Sequence, residues 1–221
     1  GAIVRPVNFL QFGISYTTPT LYGLTETWDA SMSSRWDNFD YYGTGETILG
    51  DNSDDPEETE IVTSDYSFTA PMKLRGGVAF LSQYGFLTAD VEMVNPAKAK
   101  YRSRENSISF APENEDIQSV YKPVVNYRIG AEFRQDIFRL RAGYGVQSNT
   151  FSENVDAENT ITSISGGVGI RTKSFYVDLA VIHSTGQNYK YQPYTFFDGS
   201  GPVADLKDKT LKGLITVGFT F

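Results

Sequence analysis

The chain has 221 residues, no cysteine, one histidine, and 27 acidic against 19 basic residues, so its formal net charge is −8. The lack of cysteine excludes disulfides and thiolate sites, and a single histidine disfavours histidine metal clusters and catalytic triads. The negative charge argues against nucleic-acid binding. We therefore expect no catalytic residue, no metal site and no cofactor.

Alternation of apolar and polar residues with period two, the signature of a strand, recurs in segments of about ten residues. The pattern predicts eight strands, of which the first and second are long and contain Pro19 and Pro71. Proline inside a strand favours an edge, a bulge or a kink. The predicted strands cover residues 8–36, 60–81, 87–93, 125–134, 138–147, 163–171, 175–181 and 211–221.

The connections between these strands alternate in length. Residues 82–85, 134–136 and 172–174 form tight turns, whereas the long polar connections cover residues 39–57, 98–121, 148–157 and 188–206. A meander with short turns at one end and long loops at the other is typical of outer-membrane barrels. The predicted fold class is therefore all-β, an antiparallel up-and-down transmembrane β-barrel.

The two predicted faces of the sheet differ in chemistry. The apolar face carries no charge except Lys209, and charge that faces lipid costs roughly 2–4 kcal/mol. The other face mixes glycines with long charged side chains, as the crowded interior of a barrel requires. Phe133, Phe138, Phe175 and Phe221 lie beside the short turns, as an aromatic girdle would. These features favour a bilayer over a soluble β-sandwich or lipocalin-like barrel, which stays the alternative.

Four segments carry a resemblance to a known family. "RPVNFLQFGISYTTPTLYGLTETW" (5–28), "KLRGGVAFLSQYGFLTADVEMVN" (73–95), "YRIGAEFRQDIFRLRAGYGV" (127–146) and "FYVDLAVIHSTGQNYK" (175–190) resemble strands of the FadL/TodX-type hydrophobic-compound transporters. The resemblance implies a bacterial outer-membrane protein with a 14-stranded barrel and an N-terminal hatch. It implies cargo such as long-chain fatty acids or aromatic hydrocarbons.

Only the last eight strands of that family are matched here, and the hatch is absent. We therefore expect residues 1–221 to form a single β-barrel domain that is the C-terminal part of a larger barrel. A self-contained eight-stranded relative is the alternative. The expected partners are outer-membrane lipids, a hydrophobic small molecule, and the barrel-assembly machinery, which would recognise the C-terminal Phe221.

The predicted polar face is rich in cations, and two interpretations of them stay open. A basic lumen would attract carboxylate head groups, with arginine suited to bidentate contact. A ladder of cross-strand ion pairs would instead stabilise the barrel. The candidate ligand-binding residues are Arg75, Arg128, Arg139, Arg141 and Arg171.

Aromatic and acidic residues follow the first long strand. Trp28, Trp36, Tyr41 and Tyr42 are either a hydrophobic entry site or an outer aromatic belt. Residues 37–60 contain nine acids and no Lys or Arg. Residues 51–58 could bind Ca²⁺, but they lack the spacing of an EF-hand, and a solvated extracellular loop is the favoured interpretation.

The predicted function is passive uptake of hydrophobic small molecules, such as long-chain fatty acids or hydrocarbons, across the outer membrane without covalent chemistry. One alternative is a small structural or adhesion barrel with a plugged lumen and partner-binding loops. A third, weaker interpretation is a soluble secreted lipid-binding barrel.

Overall fold

The computed structural model describes residues 1–46, 48–50, 57–104, 109–155, 157–186 and 189–219. Its contacts divide the chain into two compact units. The first unit comprises Gly1–Leu21, Thr69–Lys100 and Phe110–Phe221, and the second comprises Tyr22–Phe68 and Tyr101–Ser109.

The first unit is built on one nine-stranded antiparallel sheet. Each strand of this sheet pairs with the strand of the same sheet that follows it in the sequence. The alternating sequence explains the strands, because period two matches the side-chain repeat of the extended backbone. The strands are β1 (Ala2–Val7), β2 (Leu10–Thr17), β3 (Lys73–Ser82), β4 (Gly85–Val94), β5 (Val124–Gln135), β6 (Phe138–Gln147), β7 (Ile161–Arg171), β8 (Phe175–Gly186) and β9 (Lys209–Phe219).

The predicted alternation of connection lengths is confirmed. Successive strands are antiparallel, so successive connections lie at opposite ends of the sheet. Short turns join β1 to β2, β3 to β4, β5 to β6 and β7 to β8, and long connections join the other consecutive pairs. The all-β antiparallel meander is therefore as predicted, whereas closure into a barrel stays a prediction.

The two long strands predicted at residues 8–36 and 60–81 are wrong as single strands. The chain leaves β2 at Thr17 and begins a separate strand at Thr20, and the strand Val62–Ala70 ends before β3 begins. Pro19 and Pro71 lie in the two gaps, because proline has no N–H to donate to a ladder.

The sheet also has one strand more than the eight predicted. The additional strand is β1, whose pairing with β2 shifts register between Val4 and Val7, where Pro6 lies. That proline interrupts the alternation, which is why the sequence pattern did not reveal the strand.

The first unit contains one helix that the pattern missed. Helix α1 (Ala111–Val120) lies within the predicted polar loop 98–121, and a 3₁₀ turn, Pro96–Lys98, lies at the start of that loop. A proline in its first turn and Glu113 favour a helix start. The segment has no apolar stripe, so the usual helical signal is absent. None of the helices in the described ranges is both long and apolar enough to cross a membrane.

The second unit contains most of a three-stranded sheet with the order Lys100–Ser103, Val62–Ala70, Thr20–Trp28. Aromatic rings form a row across these strands: Phe68 lies 4.9 Å from Tyr101 and 6.3 Å from Tyr22 between ring centroids. Two short ladders pair Ser31–Met32 with Glu57–Glu58 and Phe39–Asp40 with Ile48–Leu49.

The predicted assignment of the two faces of the nine-stranded sheet is confirmed. Apolar side chains on one face are exposed, with Ile129 at 49% and Ile215 at 75%. On the opposite face the carboxylate residues Glu92 and Glu132 are buried, at 9% and 8%. This distribution is the reverse of that in a water-soluble domain, where apolar residues fill the interior.

Phenylalanines lie on the exposed apolar face beside the short turns, as predicted. Phe133 is the last residue but two of β5, Phe138 begins β6 and Phe175 begins β8. All three are among the exposed large hydrophobic residues. Phe221, the fourth member of the predicted girdle and the expected signal for the assembly machinery, lies outside the described residues.

We expect Gly85→Ala to lower the free energy of unfolding by about 1–3 kcal/mol, because a positive φ strains any residue that has a Cβ atom. Gly85 has a φ of +143°, and its new Cβ would lie 1.8 Å from the carbonyl oxygen of Glu132. The control is Gly76→Ala, whose Cβ would meet nothing within 4 Å. Urea unfolding in detergent micelles measures both. Equal losses would contradict the described backbone of the β3–β4 turn.

Candidate functional site

The polar face of the nine-stranded sheet holds a three-strand ionic network centred on Glu132. Arg134 Nε and Arg141 Nε each donate to this carboxylate, at 2.5 Å, and Arg141 Nη1 also donates to Asp178 at 2.5 Å. Glu132 and Arg141 are direct cross-strand partners on β5 and β6, whereas Asp178 lies on β8. The network therefore passes over β7.

A glycine on β7 makes that crossing possible. A Cβ atom on Gly169 would lie 2.0 Å from the Oδ1 atom of Asp178. Because the glycine has no side chain, the carboxylate lies over the β7 backbone and reaches the guanidinium of Arg141. This small residue therefore has a structural role in the ion pair.

A second network joins β3, β4 and β5. Arg75 forms an ion pair with Glu92, and the Nδ2 atom of Asn126 donates to Glu92 at 3.2 Å. Both partners lie directly opposite Glu92 in the sheet register. The Asn126 Oδ1 atom accepts the backbone N–H of Ser148 at 2.9 Å, so the network also fixes the end of β6.

Two more candidate arginines make other contacts. Arg139 Nη1 donates to the backbone carbonyls of Asp136 and Phe138, each at 2.8 Å, and so ties down the β5–β6 turn. The guanidinium carbon of Arg171 lies 4.7 Å from the centre of the Tyr176 ring, within cation–π range. Four of the five predicted ligand-binding arginines thus make contacts within the protein, and their role toward a ligand stays a prediction.

Arg128, the fifth candidate, lines an open cavity of about 320 Å³ on the polar face. Within the described part of the chain it makes no ion pair, although Asp90 is its direct cross-strand partner. We call this space the Arg128 cavity. Its polar lining consists of Arg128, Thr88, Asp90, Gln147, Ser163 and Ser165.

Glycines make room for the groups that line the Arg128 cavity. A Cβ on Gly145 would lie 3.3 Å from Cγ of Arg128, and a Cβ on Gly143 would lie 2.6 Å from the hydroxyl oxygen of Ser165. The arginine stem and the serine hydroxyl therefore lie over bare backbone. The cavity is a consequence of these glycines on the polar face.

The sequence analysis missed the hydroxyl and amide groups of this cavity. The position of Arg128 opposite Gly145 could have been predicted, because the short β5–β6 turn fixes the register of these two strands. Gly145 in turn lies opposite Ser163 on β7. The second register follows a long connection, so turn length alone could not have provided it.

The structure describes ring contacts for three of the four predicted entry aromatics. Trp36 stacks on Phe39 with centroids 5.2 Å apart, and Tyr41 meets Tyr42 edge-to-face at 4.7 Å. Trp28 ends the strand Thr20–Trp28 and is 56% exposed. All four belong to the second unit. Their role in ligand entry or in an aromatic belt stays a prediction.

The acidic segment and the histidine are described in part. Among the described residues, no group of three or more His, Asp or Glu side chains is placed to hold a metal ion. Residues 51–56 of the acidic segment lie outside the described residues, so its suggested Ca²⁺ role stays a prediction. The exposed His183 ring nitrogen lies 3.2 Å from the hydroxyl of Thr185.

Comparison with known proteins supports the fold. No protein-family model and no curated protein matches the sequence. The chain is similar to the crystal structure of a Pseudomonas aeruginosa FadL homologue, with a TM-score of 0.55 and 14% sequence identity. The similarity covers 97% of this chain and 49% of that one, so the chain spans about half the length of the homologue. The chain therefore has a FadL-like fold.

We expect Glu132→Ala to lower the free energy of unfolding by about 2–3 kcal/mol, since it leaves two guanidinium groups without their shared carboxylate. The effect should be below the roughly 3–5 kcal/mol of a fully buried pair, because solvent screens partly exposed arginines. Glu153→Ala, which removes an exposed glutamate from the loop after β6, is the control and should change stability by less than about 0.5 kcal/mol. Urea unfolding measures both, and equal effects would contradict the network.

Proposed function

We propose that this chain forms part of the wall of an outer-membrane barrel that admits hydrophobic small molecules, such as long-chain fatty acids or hydrocarbons, by passive passage. The observation that carries the proposal is the distribution of polarity on the nine-stranded sheet. Its exposed face is apolar, and its opposite face holds the ionic networks with their buried carboxylates Glu92 and Glu132. A lipid bilayer is the solvent for which this arrangement is stable.

The FadL-like fold supports the same function. One solved protein to which the chain is similar is a FadL homologue. Four segments of the sequence also resemble strands of FadL-type proteins. The polar face holds ion pairs and small residues. Passive passage requires only binding and release, so no covalent step belongs to the proposal.

Uptake by cells tests the proposal. Gram-negative cells that produce the protein should carry it in their outer-membrane fraction and should take up radiolabelled dodecanoate faster than cells that do not. Uptake of maltose, a hydrophilic solute, is the control and should not change. Protein in the outer membrane without any gain in dodecanoate uptake would contradict the transport function.

Two adjacent residues of β9 test which face meets lipid. Ile215 lies on the exposed apolar face, whereas Thr216 lies on the polar face opposite Asp178. We expect Ile215→Arg to cost roughly 2–4 kcal/mol in a bilayer and to reduce assembly into vesicles, because it places a charge in lipid. Thr216→Arg introduces the same side chain on the other face and should assemble normally. Equal loss of assembled protein in the two variants would contradict the orientation.

One loop favours a second candidate function, the binding of a partner. Between the short strands Tyr189–Tyr191 and Ala204–Leu206, the loop exposes Tyr194, Phe196 and Phe197, the last at 110%. Its turn is held by hydrogen bonds from the N–H and hydroxyl of Ser200 to Asp198, which lower the pKa of that carboxyl group.

Exposed aromatic residues on an ordered turn mark interaction surfaces. If this loop serves adhesion instead of uptake, Phe197→Ser will abolish attachment of cells to a surface and leave dodecanoate uptake unchanged. If the protein is a transporter, dodecanoate uptake will not depend on whether the cells attach to the surface.

A further inference from the structure

We propose that the Arg128 cavity binds the carboxylate head group of the hydrophobic ligand, with Arg128 as its cationic partner. The inference rests on the proposed function, because it assigns a head-group site within the same polar face. It narrows the ligand class to carboxylates and gives the head group a position on β4 to β8. The evidence is that the side chains of Arg128, Gln147 and Ser165 line one cavity and have no ion-pair or hydrogen-bond partner within the described ranges.

Arg128 differs from the other arginines of the polar face. In the described part of the chain, Arg75, Arg134 and Arg141 form ion pairs with Glu92, Glu132 and Asp178. Arg139 is held by turn carbonyls, and Arg171 lies against an aromatic ring. A guanidinium that already contacts a carboxylate has fewer donors for a ligand. Arg128 retains its donors, and it lines a cavity.

Other donors converge on the same space. Neither the side-chain amide of Gln147 nor the hydroxyl of Ser165 has a hydrogen-bond partner within the described ranges. Both groups line the cavity with Arg128. A guanidinium, an amide and a hydroxyl are suited to an acceptor-rich group, and arginine binds carboxylates bidentately. A carboxylate is therefore the head group that this lining recognises.

The side of the cavity that faces β8 is apolar. Ile182 lines it and lies directly opposite Ser165 in the sheet register. On the same face, Ala180 on β8 and Leu214 on β9 lie directly opposite each other and extend this apolar strip, whereas Lys212 lies opposite Ile182. An amphiphile with its carboxylate at Arg128 would place the start of its hydrocarbon chain on this strip.

Asp90 is the one acid that lines the cavity, and it lies directly across from Arg128. Its negative charge opposes a bound carboxylate through Coulomb repulsion. Removing that charge should therefore strengthen carboxylate binding, which gives a test in which binding is gained.

The test is equilibrium dialysis of the purified full chain in detergent micelles against radiolabelled octanoate and, separately, octanol. The two probes have the same chain length and differ in the head group. The variants are Arg128→Gln and Asp90→Asn. The control is Lys73→Gln, which removes a cation of the same face that does not line the cavity. Circular dichroism checks that each variant is folded.

We expect Arg128→Gln to weaken octanoate binding by about tenfold, the value of one charge-assisted hydrogen-bonded contact. Octanol binding should stay within about twofold, since it carries no charge to lose. Lys73→Gln should change neither, and Asp90→Asn should tighten octanoate alone.

Three results would overturn the site: no octanoate binding to the unmodified chain, equal behaviour of Arg128→Gln and Lys73→Gln, or parallel loss of octanoate and octanol. Failure of the site and failure of the proposed function give different results. Arg128-dependent octanoate binding without cellular uptake would leave the site and remove the transport function. Uptake with Arg128-independent binding would do the reverse.

Discussion

The continuous antiparallel register of nine strands is the constraint on which the rest of the structure depends. Side chains alternate between faces, so a slip of one residue in any strand would move its apolar row to the polar face. The same register places Arg75 opposite Glu92 and Glu132 opposite Arg141. The same register therefore separates the two faces and forms the ion pairs. Each strand that pairs in register satisfies both.

Glycines on the polar face make room for the side chains of neighbouring strands. On a crowded polar face, the long side chain of one strand lies where the neighbouring strand has none. Asp178 crosses β7 over Gly169, the stem of Arg128 lies over Gly145, and the ring of Tyr176 lies over Gly218. Each glycine makes space for one particular side chain, so the sequence specifies which side chains meet across neighbouring strands.

The sequence predicted the sheet better than the site. Period two gave the faces, and connection lengths gave the ends of the sheet, since both are local signals. The break at Pro19, the strand that contains Pro6 and the helix Ala111–Val120 were missed, because prolines interrupt alternation and an acidic helix has no apolar stripe. The arginines of the polar face could also be identified from the sequence, because alternation is a local signal. The pairs of Arg75, Arg134 and Arg141 with glutamates lie within one strand or one short-turn hairpin. The pair of Arg141 with Asp178 instead depends on the register across the long connection between β6 and β7.

On this face, the length of the acidic side chain affects whether it forms an ion pair with an arginine. Glu92 and Asp90 lie two residues apart on β4, and each has an arginine as a direct cross-strand partner. The longer Glu92 reaches Arg75 and forms an ion pair, whereas the shorter Asp90 forms none with Arg128 among the described residues. Asp178, which is equally short, reaches Arg141 only because Gly169 leaves its path open. The length of the acid and the space left by neighbouring glycines together decide whether an arginine on this face forms an ion pair.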